Sequence, residues 1–218
     1  MALKNISIGG QSVTLVDLPK RPGFRTVQFD FDDPATDMTN GFSGLTQIQR
    51  WPGADALSGT FSLPLLRQAD ADEWISFLMA LRGRANAFQV GDPLKRMPRG
   101  KPQRSQPVVS GSSSVPGSDQ LVTRGWVGAG HLLEAGDWIQ IGFRLYRNLF
   151  PVTSTNGTAT LTVWPTIREQ PADGDQLVLK NTVGVFRLAA SKRSWNADFK
   201  KLTSLSFPFT EWRGPASA

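Results

Sequence analysis

The sequence predicts a mostly β protein with a single helix, on three observations. Short segments alternate apolar and polar residues, which is the period of a half-buried strand. The 21 glycines and 15 prolines are distributed between these segments, as turn residues are. One stretch alone places apolar residues at helical spacing. The 218 residues, with seven tryptophans and thirteen phenylalanines, suffice for one large β domain or two small ones with real cores.

The predicted strands fall in three regions of the chain. In the first region Val27, Phe29 and Phe31 alternate with polar residues, and residues 60–65 and 87–90 repeat the pattern. The third region contributes residues 185–188 and 205–210. The middle region contributes five short strands, which suit a small barrel or sandwich because closure removes exposed edges. These five are residues 120–123, 137–141, 143–147, 158–164 (after an Asn156-Gly157 turn) and 177–179.

One helix is predicted over residues 70–83. Asp70 is a suitable N-cap, and Glu73 stands at the spacing of a capping box. Gly83 suits a left-handed C-terminal cap. Apolar residues follow the start at i, i+3, i+4 and i+7, which makes one stripe for packing on a sheet. The stripe consists of Trp74, Phe77, Leu78 and Leu81.

The pattern of the first region returns at the end of the chain, which predicts an insertion. Residues 1–94 and 181–218 are predicted to form one domain containing helix 70–83. Residues 95–180 are predicted to form a small β-barrel inserted into it. Chain ends usually lie close together in a domain, so a late strand completing the first sheet is the simplest layout.

The charge of +6 and the pI near 10.1 raise the possibility of a nucleic-acid partner. Residues 95–107 carry five Lys or Arg and no acid, but no aromatic side chain on which a base would stack. Nucleic acid is therefore not expected as a specific ligand. No apolar run approaches the roughly 18 residues of a membrane span, so none is predicted.

Few residue types for catalysis are present, and we predict that the protein is not an enzyme. There is no cysteine, and His131 is the one histidine, so ordinary zinc sites cannot be built. A lone histidine near a turn is more often a structural residue than the base of a nucleophile–base pair. The acidic stretch from Asp30 to Asp37 lacks the spacing of a calcium loop and is better explained as the solvent face of a strand. No cofactor is predicted. Paired-carboxylate hydrolysis depends on convergence in space, which a sequence does not reveal.

Several segments together resemble one protein family. They are the helix and turn at 74–83, Ala-Phe-Gln-Val-Gly-Asp-Pro at 87–93, residues 133–141 with Leu145 and Tyr146, residues 160–168, and the closing residues 207–212. This combination resembles the distal tail proteins of long-tailed bacteriophages. The resemblance implies a β-sandwich with one helix that forms a hexameric ring, with an inserted OB-like barrel. It carries over no catalytic residue.

The resemblance also implies a function, that of a structural subunit of the phage tail tip or baseplate. The ring would join the tail tube to the hub and tape-measure proteins, in the virion, after assembly in the host cytoplasm. Exposed anchors are expected at Trp51, beside a Pro-Gly turn, and at Trp212, at the end of the last strand. Lys95, Arg96 and Arg99 are expected to meet acidic strand residues of a neighbouring subunit.

An alternative function is carbohydrate binding on the host surface through the inserted barrel. Barrels of this type that bind sugars present aromatic side chains on one face. The candidates here either supply that face or fill the barrel and its rim; they are Trp126, Trp138, Tyr146 and Trp164. Contact with DNA during genome passage is a third and weaker hypothesis.

Overall fold

The computed structural model describes residues 2–8, 10–111, 114–128, 130–192, 194–197 and 202–214. These residues form eighteen strands and one helix, and the mostly β prediction is confirmed. The first half of the chain contains β1 Leu3–Ile8, β2 Gln11–Val16, β3 Thr26–Asp32, β4 Ala35–Thr39, β5 Thr46–Arg50, β6 Ala56–Ser62, β7 Leu66–Arg67, α1 Gln68–Ala80 and β8 Phe88–Val90. The second half contains β9 Val108–Val109, β10 Gln120–Arg124, β11 Trp138–Ile141, β12 Arg144–Asn148, β13 Thr158–Trp164, β14 Leu177–Val178, β15 Gly184–Leu188, β16 Asn196–Ala197, β17 Leu202–Ser204 and β18 Ser206–Glu211.

The chain divides into two compact units. The first, called here the sandwich unit, comprises the described parts of Met1–Asp30, Leu57–Pro93 and Val183–Ala218. The second, the barrel unit, comprises those of Phe31–Ala56 and Leu94–Thr182. Residues 31–56, which the sequence pattern assigns to the first domain, thus group with the barrel, because both ends of this segment are hydrogen-bonded to it. The later boundaries lie within two residues of those expected.

The sandwich unit is built on a five-stranded sheet in the order β3-β6-β18-β15-β8. Strand β18 pairs antiparallel with β6, so that Phe207 stands opposite Phe61. These side chains and Phe209 belong to a cluster of aromatic rings with centroids about 4–6.5 Å apart, the offset and edge-to-face range that aromatic pairs prefer. The chain's phenylalanines therefore act mainly as the filling of this core.

Helix α1 covers this core with the predicted stripe. Trp74, Phe77, Leu78 and Leu81 are all buried, and the rings of Trp74 and Phe77 lie 6.2 and 6.4 Å from that of Phe207. The predicted boundaries are corrected at both ends: the helix begins at Gln68 and ends at Ala80.

The predicted capping box is absent from α1. Arg67 is the N-cap, with no side-chain cap hydrogen bond, because the strand β7 runs directly into the helix. Asp70 therefore lies inside the first turn, where its charge complements the helix dipole. Gly83 does adopt a left-handed conformation (φ +68°), in the turn after the helix.

Two small sheets complete the sandwich unit. Strands β1 and β2 form an antiparallel hairpin, and β2 adjoins the start of β8, since the Val16 amide donates to the Ala87 carbonyl at 2.8 Å. The three-stranded sheet β16-β17-β7 holds the chain segment that leads into the helix.

The barrel unit contains a six-stranded sheet in the order β14-β11-β12-β13-β10-β9. Its two edges approach each other: the Val109 amide donates to the Asp175 carbonyl (2.8 Å), and the Leu177 amide to the Pro107 carbonyl (2.9 Å). The sheet is therefore a nearly closed small barrel, as predicted. Alternate side chains from these strands, including Leu121, Ile139 and Leu161, fill its interior.

Candidate assembly site

A β-hairpin of the barrel unit is exposed along its whole length. We call residues 31–51 the hairpin arm; it consists mainly of β4, β5 and the loop between them. Every residue of the arm is solvent-exposed. It nevertheless carries six of the sixteen large exposed apolar side chains among the described residues: Phe31, Met38, Phe42, Leu45, Ile48 and Trp51. An isolated two-stranded hairpin is marginally stable in water, so exposed apolar side chains on an arm of this kind single it out as the candidate site.

The loop of the arm is shaped by local hydrogen bonds. The Asn40 side-chain oxygen accepts from the amides of Phe42 (2.9 Å) and Ser43 (3.2 Å), an Asx-type turn. The Asn40 amide donates to the Leu45 carbonyl (2.9 Å), and Gly44 supplies the left-handed residue with φ +67°. This loop places Phe42 at the tip with its side chain fully in solvent, at 105% relative exposure.

The arm faces are mixed in character, which explains why neither face packs on the barrel. In the β4–β5 register Asp37 stands opposite Ile48, and Met38 stands opposite Gln47. Polar and apolar residues thus share both faces. The arm also contains three aspartates and one arginine, so it is acidic in a chain whose net charge is +6.

The incoming end of the arm is fixed to Trp164, at the end of β13. The indole Nε1 of Trp164 donates to Asp33 Oδ1 at 2.7 Å. The ring of Phe31 lies edge-on to the same indole, with centroids 5.6 Å apart. Together these contacts set the direction in which the arm leaves the barrel unit.

The outgoing end is fixed by Asp55, a buried carboxylate. Thr166 Oγ1 donates to Asp55 Oδ1 (2.8 Å) and accepts from the Gly53 amide (2.8 Å). The Thr166 amide donates to the other Asp55 oxygen, and the Arg168 guanidinium donates to the Asp55 carbonyl. A buried carboxylate that accepts these two hydrogen bonds from Thr166 forms a rigid anchor.

A cleft of about 250 Å³ lies at the base of the arm. Trp51 forms part of its rim and is 56% exposed. Charged side chains of both signs, those of Asp33, Arg50 and Asp119, also line it. The base of the arm thus adds charged groups to the apolar surface of its tip.

The replacement Thr166→Val is expected to loosen the arm at its outgoing end. The hydroxyl that links Asp55 to the Gly53 amide is lost while the side-chain shape is kept, which costs about 1–3 kcal/mol for partly buried groups. Amide hydrogen exchange of residues 53–56 is expected to accelerate. Thr160→Val, at an exposed position of the preceding strand β13, is the matched control; equal exchange in the two variants would contradict this role of Thr166.

The residues predicted as interface anchors have different environments. Trp51 is exposed on the arm, as expected. Trp212 is buried, at 7% exposure, because its amide continues the sheet by donating to the Val185 carbonyl (2.9 Å); it offers no exposed anchor.

The three basic interface candidates lie outside the arm, in the barrel unit. Arg99 is engaged within that unit: its guanidinium donates to the Ala135 carbonyl and lies 3.9 Å from Asp137. Lys95 is half-buried and Arg96 is exposed. Of the three, Arg96 presents the most accessible charge to a neighbour.

Three of the four barrel aromatics are buried. Trp126 and Tyr146 belong to the apolar core, and the Trp126 indole donates to Thr123 Oγ1 at 2.8 Å. Trp138 is also buried and lies against the Arg147 guanidinium, 5.3 Å from the ring centroid. Trp164 is the exception, and it holds the arm. These side chains therefore do not form an exposed platform for a sugar.

His131 and the acidic residues were considered from the sequence as candidates for catalysis and metal binding. His131 is exposed, with Nδ1 3.1 Å from a Glu134 carboxylate oxygen. In the part of the chain that the structure describes, no three His, Asp or Glu side chains are grouped so as to hold a metal ion. Across the same residues, no helix has the length and apolar character needed to cross a membrane.

The sequence pattern did not predict the hairpin arm, although it contains a turn signal. Asn40-Gly41 is a turn dipeptide between two short segments, Thr36 to Thr39 and Thr46 to Arg50, of strand-forming residues. The segments lack a consistent apolar face, which is the pattern that identified the other strands. That same absence is what marks the arm as a surface left uncovered by its own chain.

Comparison with known proteins adds no relative. No protein-family model matches the chain, and no curated protein matches it.

Proposed function

We propose that the protein is a structural subunit that assembles with copies of itself into a ring. The observation that carries the proposal is the hairpin arm. It holds six large apolar side chains in water on a hairpin that is anchored firmly at both ends. Burial of such side chains contributes about 1.5–3 kcal/mol each, so a partner that covers even half of them gains a substantial association energy.

Charge favours a second copy of the same chain as this partner. The arm is acidic, whereas the whole chain carries +6, so the remainder of each copy is more basic still. An arm that docks on a different surface of the next copy makes a head-to-tail interface. Interfaces of this kind close into rings when the rotation between copies permits it.

The resemblance to phage distal tail proteins gives the ring its proposed place. The ring has six copies, lies in the tail tip of the virion, and joins the tail tube to the hub and tape-measure proteins after assembly in the host cytoplasm. Its work is mechanical, with no catalytic step. The sugar-binding alternative is not retained, because three of its four aromatic residues are buried.

The double replacement Phe42→Ser with Leu45→Ser is expected to abolish assembly without unfolding the protein. Both side chains are exposed in the subunit, so their loss removes little from its own stability. At about 1.5–3 kcal/mol per buried side chain, association weakens by at least about a hundredfold. Size-exclusion chromatography with light scattering measures the change, and thermal unfolding confirms that the fold is kept.

Leu94→Ser is the matched control, since Leu94 is equally exposed but lies outside the arm. It is expected to assemble as the unmodified protein does. Negative-stain images of the assembled protein, alone and mixed with tube and hub proteins from the same source, test the ring and its place. A protein that stays monomeric at high concentration and also fails to join tube or hub proteins contradicts the proposal.

A further inference from the structure

An apolar groove of about 220 Å³ lies on the sandwich unit beside the C-terminal half of α1. Ile75 and Met79 of the helix line one side, and Trp195 lines another. Met79 is 61% exposed and Trp195 is 48% exposed. Large apolar side chains that remain in water on both sides of a groove indicate that the groove is filled in the working state of the protein.

The groove is formed by the way in which the helix ends. After Ala80 the chain turns through Gly83, whose φ of +68° a residue with a side chain rarely adopts. Ser191 packs against this turn, with its Cα 3.6 Å from the position that a Gly83 Cβ would take. Gly83 and serine side chains line part of the groove together with the buried Leu78, and the flexible Met79 gives the wall adaptability.

Positive charge lies next to Gly83, one of the residues that line the groove. Arg82 and Arg84 flank Gly83 in the sequence, and both are exposed. Burial lowers the pKa of Arg187, and the neighbouring charges of Arg84 and Arg213 lower it further. The Arg187 Nε is buried and has no hydrogen-bond partner among the described residues. This concentration of positive charge is stabilised by an acidic partner.

We propose that the tip of the hairpin arm of one copy, with Phe42 and Leu45, occupies this groove on a second copy. The inference rests on the proposed ring and names the surface that receives the arm. The tip is apolar and so is the groove. Asp37 on the arm is opposite in charge to Arg82 and Arg84 beside the groove. Strands of five residues span roughly 17 Å, which is the distance between the base of the arm and its tip.

Site-specific cross-linking tests the proposal directly, because the chain contains no cysteine. Phe42→Cys and Met79→Cys are made in separate preparations, mixed before assembly and treated with a short bis-maleimide. The mixture is expected to yield at least tenfold more covalent dimer than either variant alone. Leu65→Cys replaces Met79→Cys as the control, since Leu65 is 65% exposed on the same unit but outside the groove.

A second measurement does not depend on cross-linking geometry. Met79→Glu is expected to weaken assembly at least tenfold, whereas Leu65→Glu leaves it unchanged. Combined with Phe42→Ser, Met79→Glu is expected to add little further loss, because two residues that act through one contact are not additive.

The outcomes separate this inference from the proposed function. Assembly with neither the mixed cross-link nor an effect of Met79→Glu overturns the groove as the receiving surface and leaves the ring intact. Cross-linking of Phe42→Cys to itself, in place of the mixed product, identifies tip-to-tip docking and also overturns the inference. Failure of the unmodified protein to assemble under any condition overturns both.

Discussion

Replacement of Gly59 by alanine is expected to disrupt the sandwich unit. Gly59 lies in β6, and a Cβ added there would stand 2.0 Å from the Gln28 carbonyl oxygen and 2.7 Å from Phe209 Cζ. The first of these atoms belongs to the backbone of the neighbouring edge strand, and the second belongs to a ring in the aromatic core. Neither atom can move away without disturbing its own surroundings. The loss in the free energy of unfolding is therefore at or above the upper end of the overpacking range, about 3 kcal/mol.

That loss is a large share of the roughly 5–15 kcal/mol by which domains are stable, so partial or complete unfolding at 37 °C is expected. Urea unfolding followed by tryptophan fluorescence measures it. Gly23→Ala is the matched control, because a Cβ at Gly23 meets nothing within 4 Å. If the two variants unfold at the same urea concentration, the close approach of β3 to β6 at Gly59 is not a constraint on the fold.

The sequence predicted the parts of the fold that bury a regular apolar face. One face of a helix or strand must be apolar to enter a core. The helical spacing of Trp74 and Phe77 and the alternation of Phe207 and Phe209 therefore predict directly that these side chains are buried. The turn at Asn156-Gly157 was also correctly identified, and both residues adopt positive φ. Such local signals need no knowledge of what the element packs against.

The hairpin β1–β2 carried a readable signal but was not predicted. Ile6 and Ile8 alternate before a glycine pair, and Val13 and Leu15 alternate after it. All four side chains are buried. The two strands are short, so the alternation consists of only two apolar residues in each strand.

The apolar surface of the hairpin arm could not be predicted from the sequence pattern, for a physical reason. Periodicity detects residues that the chain buries in itself, whereas Met38 and Ile48 are buried by nothing in the subunit. Nor does a sequence distinguish an aromatic residue in a core from one that is exposed. In the structure Trp126 is buried in the barrel interior, whereas Trp51 is exposed on the arm.

The Gly-Asp pair before β11 has a specific structural role. Asp137 is 3% exposed and accepts hydrogen bonds from three backbone amides. Oδ1 accepts from Arg99 (2.9 Å), and Oδ2 accepts from Gly100 (3.1 Å) and Glu134 (2.8 Å). One carboxylate thus ties the segment that enters the barrel unit, around residue 100, to the turn that precedes β11.

Asp137→Ala is therefore expected to destabilise the barrel unit severely. Three partly buried amides lose their acceptor at once, and each unsatisfied donor costs about 1–3 kcal/mol, for a total of roughly 3–9 kcal/mol. Differential scanning calorimetry is expected to show the transition of the barrel unit shifted far down or lost. Asp119→Ala removes an exposed aspartate of the same unit and serves as the control.

Asp137→Asn keeps one carbonyl acceptor while turning an amide donor toward the other amides, so its stability should fall between that of the unmodified protein and that of Asp137→Ala. An alanine variant as stable as the control would show that these amides find other acceptors, and that the pair of residues before β11 is not what holds the entry of the barrel.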